Sequence, residues 1–165
     1  MTWNSTVAVA AQPLALLWPH GTTGQRNHVP DFFVRLASGD GRLVDVRAAN
    51  RVAKNAAQFA MTREVCGEIG WQYEVFTGLP RACSQNLRWL AGYRHDRHAP
   101  GGDTAGAIRE CFSTPVTLRT GLGCASTSTG LPSDVVTAHV LHLLWRQQLM
   151  VDLSTPLSMT SEVRA

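Results

Sequence analysis

Residues 28–36 read His28-Val29-Pro30-Asp31-Phe32-Phe33-Val34-Arg35-Leu36, and residues 41–47 read Gly41-Arg42-Leu43-Val44-Asp45-Val46-Arg47. In the first stretch Phe32, Val34 and Leu36 alternate with Asp31, Phe33 and Arg35; in the second, Val44 and Val46 alternate with Asp45 and Arg47. A period of two marks strands with one buried face. Ala37-Ser38-Gly39-Asp40-Gly41 between them carries turn chemistry, so the pair reads as a hairpin. Its apolar faces must coincide, because a slip of one residue buries charge. Setting Val34 opposite Val44 closes a loop over residues 37–41. That register places Phe32 opposite Val46, Phe33 opposite Asp45 and Asp31 opposite Arg47. Asp31, Asp45 and Arg47 then project from one face of the hairpin.

Two carboxylates and a cation gathered in this way suit phosphoester chemistry. The carboxylates can hold a hard divalent cation such as Mg²⁺, which activates water and neutralises phosphate charge. A neighbouring guanidinium stabilises charge that gathers on the phosphate oxygens. The simpler alternative is a cross-strand Asp31–Arg47 ion pair beside a solvated Asp45.

Outward from the hairpin, residues 7–17 read as a preceding strand, with a turn at Gly21-Thr22-Thr23-Gly24. Residues 50–69 read as a helix with Ala53, Ala57, Met61, Val65 and Ile69 four apart, closed by Gly70. Trp71, Tyr73 and Val75 alternate with Gln72 and Glu74 in a fourth strand, which leaves Gln72 and Glu74 as candidate cleft residues. Pro80 then opens a helix whose apolar stripe is Cys83, Leu87 and Leu90. The order β-β-β-α-β-α predicts a small α/β domain over residues 1–93. Residues 94–104 are nearly devoid of apolar side chains and read as a linker. Residues 105–165 read as helix, helix, a polar loop at 126–130, a stronger helix over 132–147, and short strands at 149–153 and 157–163. That is the order of a small winged-helix-like domain.

The composition narrows the function classes. At 165 residues and 44% hydrophobic the chain has material for a core, which excludes a disordered or collagen-like polymer. No apolar run is long enough to span a bilayer, and residues 7–17 lack the opening Lys or Arg of a signal peptide, so a cytoplasmic protein without a membrane partner is expected. Fourteen of the 15 basic residues are Arg, against 12 acids. Arg forks well onto phosphate oxygens. The densest basic stretch holds Arg81, Arg88, Arg94 and Arg97, which suits a nucleic-acid backbone. Cys66, Cys83, Cys111 and Cys124 form no CxxC pair, so four reduced, half-buried thiols are expected rather than a zinc knuckle.

The stretches 28–34 and 43–47, followed by Gly70-Trp71-Gln72-Tyr73-Glu74-Val75, by Asn86-Leu87-Arg88-Trp89-Leu90-Ala91-Gly92-Tyr93-Arg94-His95 and by a tail holding His142-Leu143-Leu144-Trp145 and Val151-Asp152-Leu153, together resemble one family. It is the TnsA-like endonuclease subunits of heteromeric transposases, within the PD-(D/E)xK nucleases. The resemblance implies a restriction-endonuclease-like mixed sheet with flanking helices, and nicking of DNA at transposon ends with Mg²⁺ or Mn²⁺. It implies Asp31 and Asp45 as metal ligands and Arg47 in the place of the family's Lys. It also implies an integrase-type transposase and an AAA+ ATPase regulator as partners. Two departures accompany it: Arg47 is a poor proton acceptor, and the Glu that the family carries on a helix before the first strand has no counterpart, the first Glu being Glu64. These leave a nuclease-fold DNA-binding and assembly subunit, or another restriction or repair nuclease, as alternatives.

Further DNA-contacting candidates are His28 at the site's edge, Arg88 and Arg94, and a polar stripe of His139, His142 and Arg146 on the 132–147 helix. The pairs His95/His98 and His139/His142 each lack a third metal ligand nearby. Trp71, Trp89 and Trp145 fall in amphipathic positions expected of core residues.

Overall fold

The computed structural model describes residues 6–17 and 27–165; the expected turn at residues 21–24 lies outside them. Two compact units divide at Met1–Gly78 and Leu79–Ala165.

The first unit is a mixed four-stranded sheet in the order β1-β2-β3-β4. Strands β1 (Thr6–Ala11), β2 (Phe32–Leu36) and β3 (Gly41–Val46) run antiparallel, and β4 (Gln72–Phe76) lies parallel to β3. A parallel neighbour requires a crossover, supplied here by α1 (Ala49–Val52), a 3-10 turn over Ala53–Asn55, and α2 (Ala56–Glu68). The single helix expected over residues 50–69 is thus interrupted. The Asn55 side chain there turns back to donate to Arg51 O at 3.2 Å, the local competition that makes Asn a poor interior helix residue.

α2 is also rotated from its expected face. Phe59, Thr62 and Cys66 are buried, while Ile69 is 54% exposed. One phenylalanine removes far more apolar surface from water than two alanines, and Thr62 satisfies its hydroxyl on Gln58 O. The helix ends as the sequence predicts: Gly70 takes a left-handed φ of 73° and Trp71 N reaches back to Cys66 O.

The β2–β3 hairpin differs from its expected register by two residues. Phe32 pairs with Val44, Phe33 with Leu43 and Arg35 with Gly41. Hydrophobic alternation fixes the face but tolerates a slip of two, so the turn decides. Leu36 N donates to Asp40 O, Gly39 N to Leu36 O, and Gly39 adopts φ 91°. Gly41 therefore belongs to the strand. A Cβ at Gly41 would stand 2.7 Å from the Phe33 ring, which packs on Trp71 with centroids 4.8 Å apart.

The second unit gathers its helices around one core. It contains α3 (Arg81–Leu90), 3-10 turns at Ala91–Tyr93 and Asp96–His98, α4 (Gly102–Glu110), β5 (Val116–Thr117), α5 (Leu118–Thr129), α6 (Ser133–Trp145), β6 (Met150–Val151) and β7 (Glu162–Arg164). The three strands pair antiparallel in the order β5-β7-β6. Leu90, Ile108, Phe112, Leu118, Ala125, Val136, Val140 and Val163 are all buried in one cluster. No side chain fits at Gly121, because the Phe112 ring occupies the place of its Cβ.

α3, expected to belong with the sheet, packs in this second unit, and residues 94–104 are structured within it rather than forming a linker. Asn86 is one cause. Buried on α3, it donates to Leu153 O (3.1 Å) and Thr155 O (2.7 Å) and accepts from Leu157 N (3.0 Å). The expected polar loop at 126–130 is helical as far as Thr129, with the Thr127 and Thr129 hydroxyls donating to the carbonyls of Gly123 and Ala125; Gly130 then terminates α5 at φ 67°. Cys111 and Cys124, expected as free thiols, are joined in a disulfide with Cα atoms 5.8 Å apart. A separation of 13 residues has no motif to betray it; the packing of α5 on α4 brings the two together. Cys66 and Cys83 are free.

Replacing Asn86 by Ala leaves two carbonyls and one N–H without their partner, so the second unit is expected to lose about 1–3 kcal/mol. A lower urea midpoint for its unfolding transition is the readout; an unchanged midpoint would show that water replaces the amide.

Candidate functional site

The corrected register has a direct consequence for the acids. One step beyond the Phe32–Val44 pair lie Asp31 and Asp45, so the two carboxylates, rather than Asp31 and Arg47, flank the hairpin at the same level. Asp31 is held at both ends. Its carbonyl accepts from Gln12 N at 2.9 Å and its Oδ2 from Val46 N at 2.7 Å. The expected Asp31–Arg47 ion pair does not occur; among the described residues the ion pairs are His28–Asp45 and Arg42–Glu74.

Asp45 is fully buried, at 0% exposure. Its Oδ2 receives two groups: His28 Nε2 at 2.8 Å and the Tyr73 hydroxyl. Its Oδ1 is buried with no hydrogen-bond partner among the described residues. A buried, half-satisfied carboxylate is unusual, because desolvating an ionised oxygen without a partner is costly. Arg47 carries a second such group, a buried Nε with no partner among the described residues. Arg47 N donates to Phe76 O at 3.0 Å, which extends the β3–β4 ladder past Val46, and strand alternation then sets Arg47 on the face of Asp45.

His28 precedes β2 and is 5% exposed; its backbone exchanges hydrogen bonds with Leu16 at 2.7 and 3.0 Å. Expected at the edge of the site, it is instead built into it. Tyr73 was not legible as a site residue, since its facing depends on the parallel register Leu43–Tyr73 and Asp45–Val75. The Tyr73 ring packs on Phe59 of α2, centroids 6.5 Å apart, with the Arg63 guanidinium carbon 5.4 Å from its centre. Burial, then the hydrogen bond and charge of Asp45, hold the Tyr73 hydroxyl far above its ordinary range. Burial, then Asp45, likewise raise the Cys66 thiol. Gln72 and Glu74 fall on the opposite face, where Arg42 bonds Gln72 Oε1 at 2.6 and 2.9 Å and Glu74 at 3.5 Å; they do not line the Asp45 site.

A Mg²⁺-type ion retains several waters and needs only one or two protein carboxylates; Asp31 and Asp45 are the two carboxylates at this end of the hairpin, and Asp45 is closed to solvent. Among the described residues no group of three or more His, Cys, Asp or Glu is placed to hold a metal ion.

The candidates of the second unit separate. His142 is 5% exposed and its Nδ1 donates to Tyr93 O at 2.8 Å; His139 Nδ1 donates to His98 O at the same distance. The two histidines of the expected stripe thus turn toward the segment preceding α4, whose carbonyls need donors, while Arg146 is exposed, as is Val135 beside them. Arg88 and Arg94 are exposed. Trp89, expected in the core, is 48% exposed. No described helix is long and apolar enough to cross a membrane.

No protein-family model matches the chain, and no curated protein does.

Tyr73 should remain a hydrogen-bond donor in the folded protein well above pH 10, the ordinary tyrosine range. The sign follows: a hydroxyl raised by folding stabilises the fold fully below about pH 10 and ceases to do so as pH climbs toward its folded value. An ultraviolet titration of wild type against Tyr73→Phe should show the two coinciding up to pH 12 while folded. A tyrosinate signal near pH 10 that disappears in the variant would contradict the buried contact.

Proposed function

We propose that the first unit carries a divalent-metal-dependent DNA endonuclease site, with a restriction-endonuclease-like sheet, and that the chain is the nicking subunit of a heteromeric transposase. The observation that carries this reading is the fully buried Asp45 with Oδ1 unpartnered, one step along the register from Asp31 and two residues before the unpartnered Arg47 Nε. The βββαβ order of the sheet and the resemblance of residues 28–47 to the TnsA-like subunits support it.

Asp31 and Asp45 would hold Mg²⁺ or Mn²⁺. When bound, the ion supplies an acidified water and neutralises phosphate charge. Arg47 offers its N–H to a phosphoryl oxygen of the scissile group, where negative charge grows as the P–O bond breaks. Arg47 is not suited to take the proton of the attacking water, because a guanidinium offers donors and no acceptor. The other partners on this reading are an integrase-type transposase and an AAA+ ATPase regulator, acting in the cytoplasm on DNA.

The helix-strand-helix-helix-hairpin order over α4 to β7 supports a winged-helix-like second unit. Contact with DNA falls to α3 rather than α6. Arg81, Gln85, Arg88 and Trp89 share its exposed face, and Arg94 and Arg97 follow. None of these arginines has an ion-pair partner among the described residues, which leaves them for a polyanion. A purely DNA-binding and assembly role is the second reading, favoured by the lack of a third metal-ligating side chain among the described residues.

Calorimetry separates the two readings. Wild type should bind Mn²⁺ and nick supercoiled DNA, and Asp31→Asn/Asp45→Asn should do neither while retaining DNA affinity; wild-type protein that binds DNA but no divalent ion at millimolar concentration belongs to the second. Arg81→Ala/Arg88→Ala should weaken DNA binding and lower the log–log salt slope by roughly 2, at about 0.9 per phosphate contact. An unchanged slope would clear α3 of the backbone.

A further inference from the structure

We infer that Trp89 is a stacking platform for an unpaired base, so that the exposed face of α3 takes DNA as a single strand or a frayed end in preference to an intact duplex. The inference rests on the assignment of that face to DNA above and concerns which form of DNA it takes.

Tryptophan is highly buried on average, yet Trp89 is 48% exposed. The ring is nonetheless braced. It meets Tyr93 at 79° with centroids 6.0 Å apart, and Tyr93 is itself fixed. The Tyr93 carbonyl accepts from His142 Nδ1 of α6 at 2.8 Å, and its ring lies 5.3 Å from that of His98. His98 is tied to α6 in turn, its carbonyl accepting from His139 Nδ1 at 2.8 Å. A neighbour so nearly perpendicular supports the indole without covering it as a parallel stack would. An aromatic surface held in place and open to solvent loses little side-chain freedom when a second ring lies on it.

The charge around the ring decides the partner. Arg81 and Arg88 share the exposed face with Trp89, and the single acid between residues 79 and 102 is Asp96. Neither arginine has an ion-pair partner among the described residues. They stand two turns apart, about 10 Å along the axis, far enough to address separate phosphates. A polyanion that also carries flat apolar faces matches this set. A lipid surface matches it less well, because Trp89 is the one large apolar side chain exposed on α3 among the described residues, and an interfacial helix needs a whole apolar face. In an intact duplex each base is already stacked on its neighbours, and Trp89 meets a free ring face only if the step is opened at a cost. A single strand or a frayed end presents such faces without that cost. Every base has one, so stacking of this kind is tolerant of sequence.

The experiment measures affinity of the full chain for labelled oligo-dT and for a labelled blunt duplex by fluorescence anisotropy, with chelator present so that no cleavage enters. Trp89→Leu keeps apolar bulk and removes the aromatic face. It should weaken oligo-dT binding about tenfold while duplex binding stays within about twofold of wild type. Its salt slope should match wild type, because no phosphate contact is lost. Should Trp89→Leu lose the wild-type melting profile, Trp89→Phe decides: oligo-dT should quench indole emission in the wild type and no longer do so in that variant. Equal losses on both ligands, an unchanged oligo-dT affinity in folded Trp89→Leu, or quenching that persists in Trp89→Phe overturns the stacking and leaves the phosphate contacts of α3 standing. An unchanged salt slope in Arg81→Ala/Arg88→Ala overturns the assignment of α3 to DNA, and this inference with it. Sedimentation with phosphatidylserine vesicles that Trp89→Leu abolishes, at unchanged oligo-dT affinity, overturns it in favour of a lipid surface.

Discussion

A carboxylate with no access to water lies at the centre of the first unit. Burying Asp45 is costly unless its oxygens are met by donors or positive charge, and the surrounding sheet is arranged around meeting half of that demand. β4 must run parallel to β3 for Tyr73 to reach it, the segment before β2 must pair with Leu16 for His28 to reach it, and α2 must cover the same face with Phe59 and Cys66. The remaining oxygen is left without a partner. A protein that selects only for stability gains nothing from such an atom, since an apolar residue of similar size would pack there at less cost. An oxygen held in this state is what a ligand of positive charge requires.

The unpartnered buried polar atoms of the described residues lie at the end of β3. One residue, Val46, separates Asp45 from Arg47, and each presents one buried group of opposite sign with no partner among the described residues. The opposite face of the sheet has a different character: Val34, Leu36 and Val44 form a small apolar cluster with Phe76.

Much of this was readable from the sequence, and the failures are informative. The period-two alternation of 32–36 and 43–46 marks both strands, and Gly70 marks the end of α2. The face shared by Asp31 and Asp45 survives, because the register slipped by two rather than one. The slip itself was unreadable, since apolar faces coincide equally well in both registers; the steric demand of Phe33 on Gly41 and the four-residue turn decide it. Tyr73 and the depth of Asp45 were hidden because they depend on the β3–β4 pairing and on where α2 sits, both long-range. Likewise His139 and His142 read as a solvated stripe from helical periodicity alone. Only the packing of residues 91–98 against α6, with two carbonyls in need of donors, turns them inward. The Cys111–Cys124 bond has the same origin in tertiary packing.

On the proposed function, Asp45 Oδ1, without a partner among the described residues, is an ion's ligand. Anomalous diffraction from crystals soaked in Mn²⁺ tests it most directly. One peak is expected within coordinating distance of Asp45 Oδ1 and of Asp31, with His28 and Tyr73 still on Oδ2. Clear density for both carboxylates with no peak between them, and with Oδ1 satisfied by Arg47 or by a water instead, would contradict it.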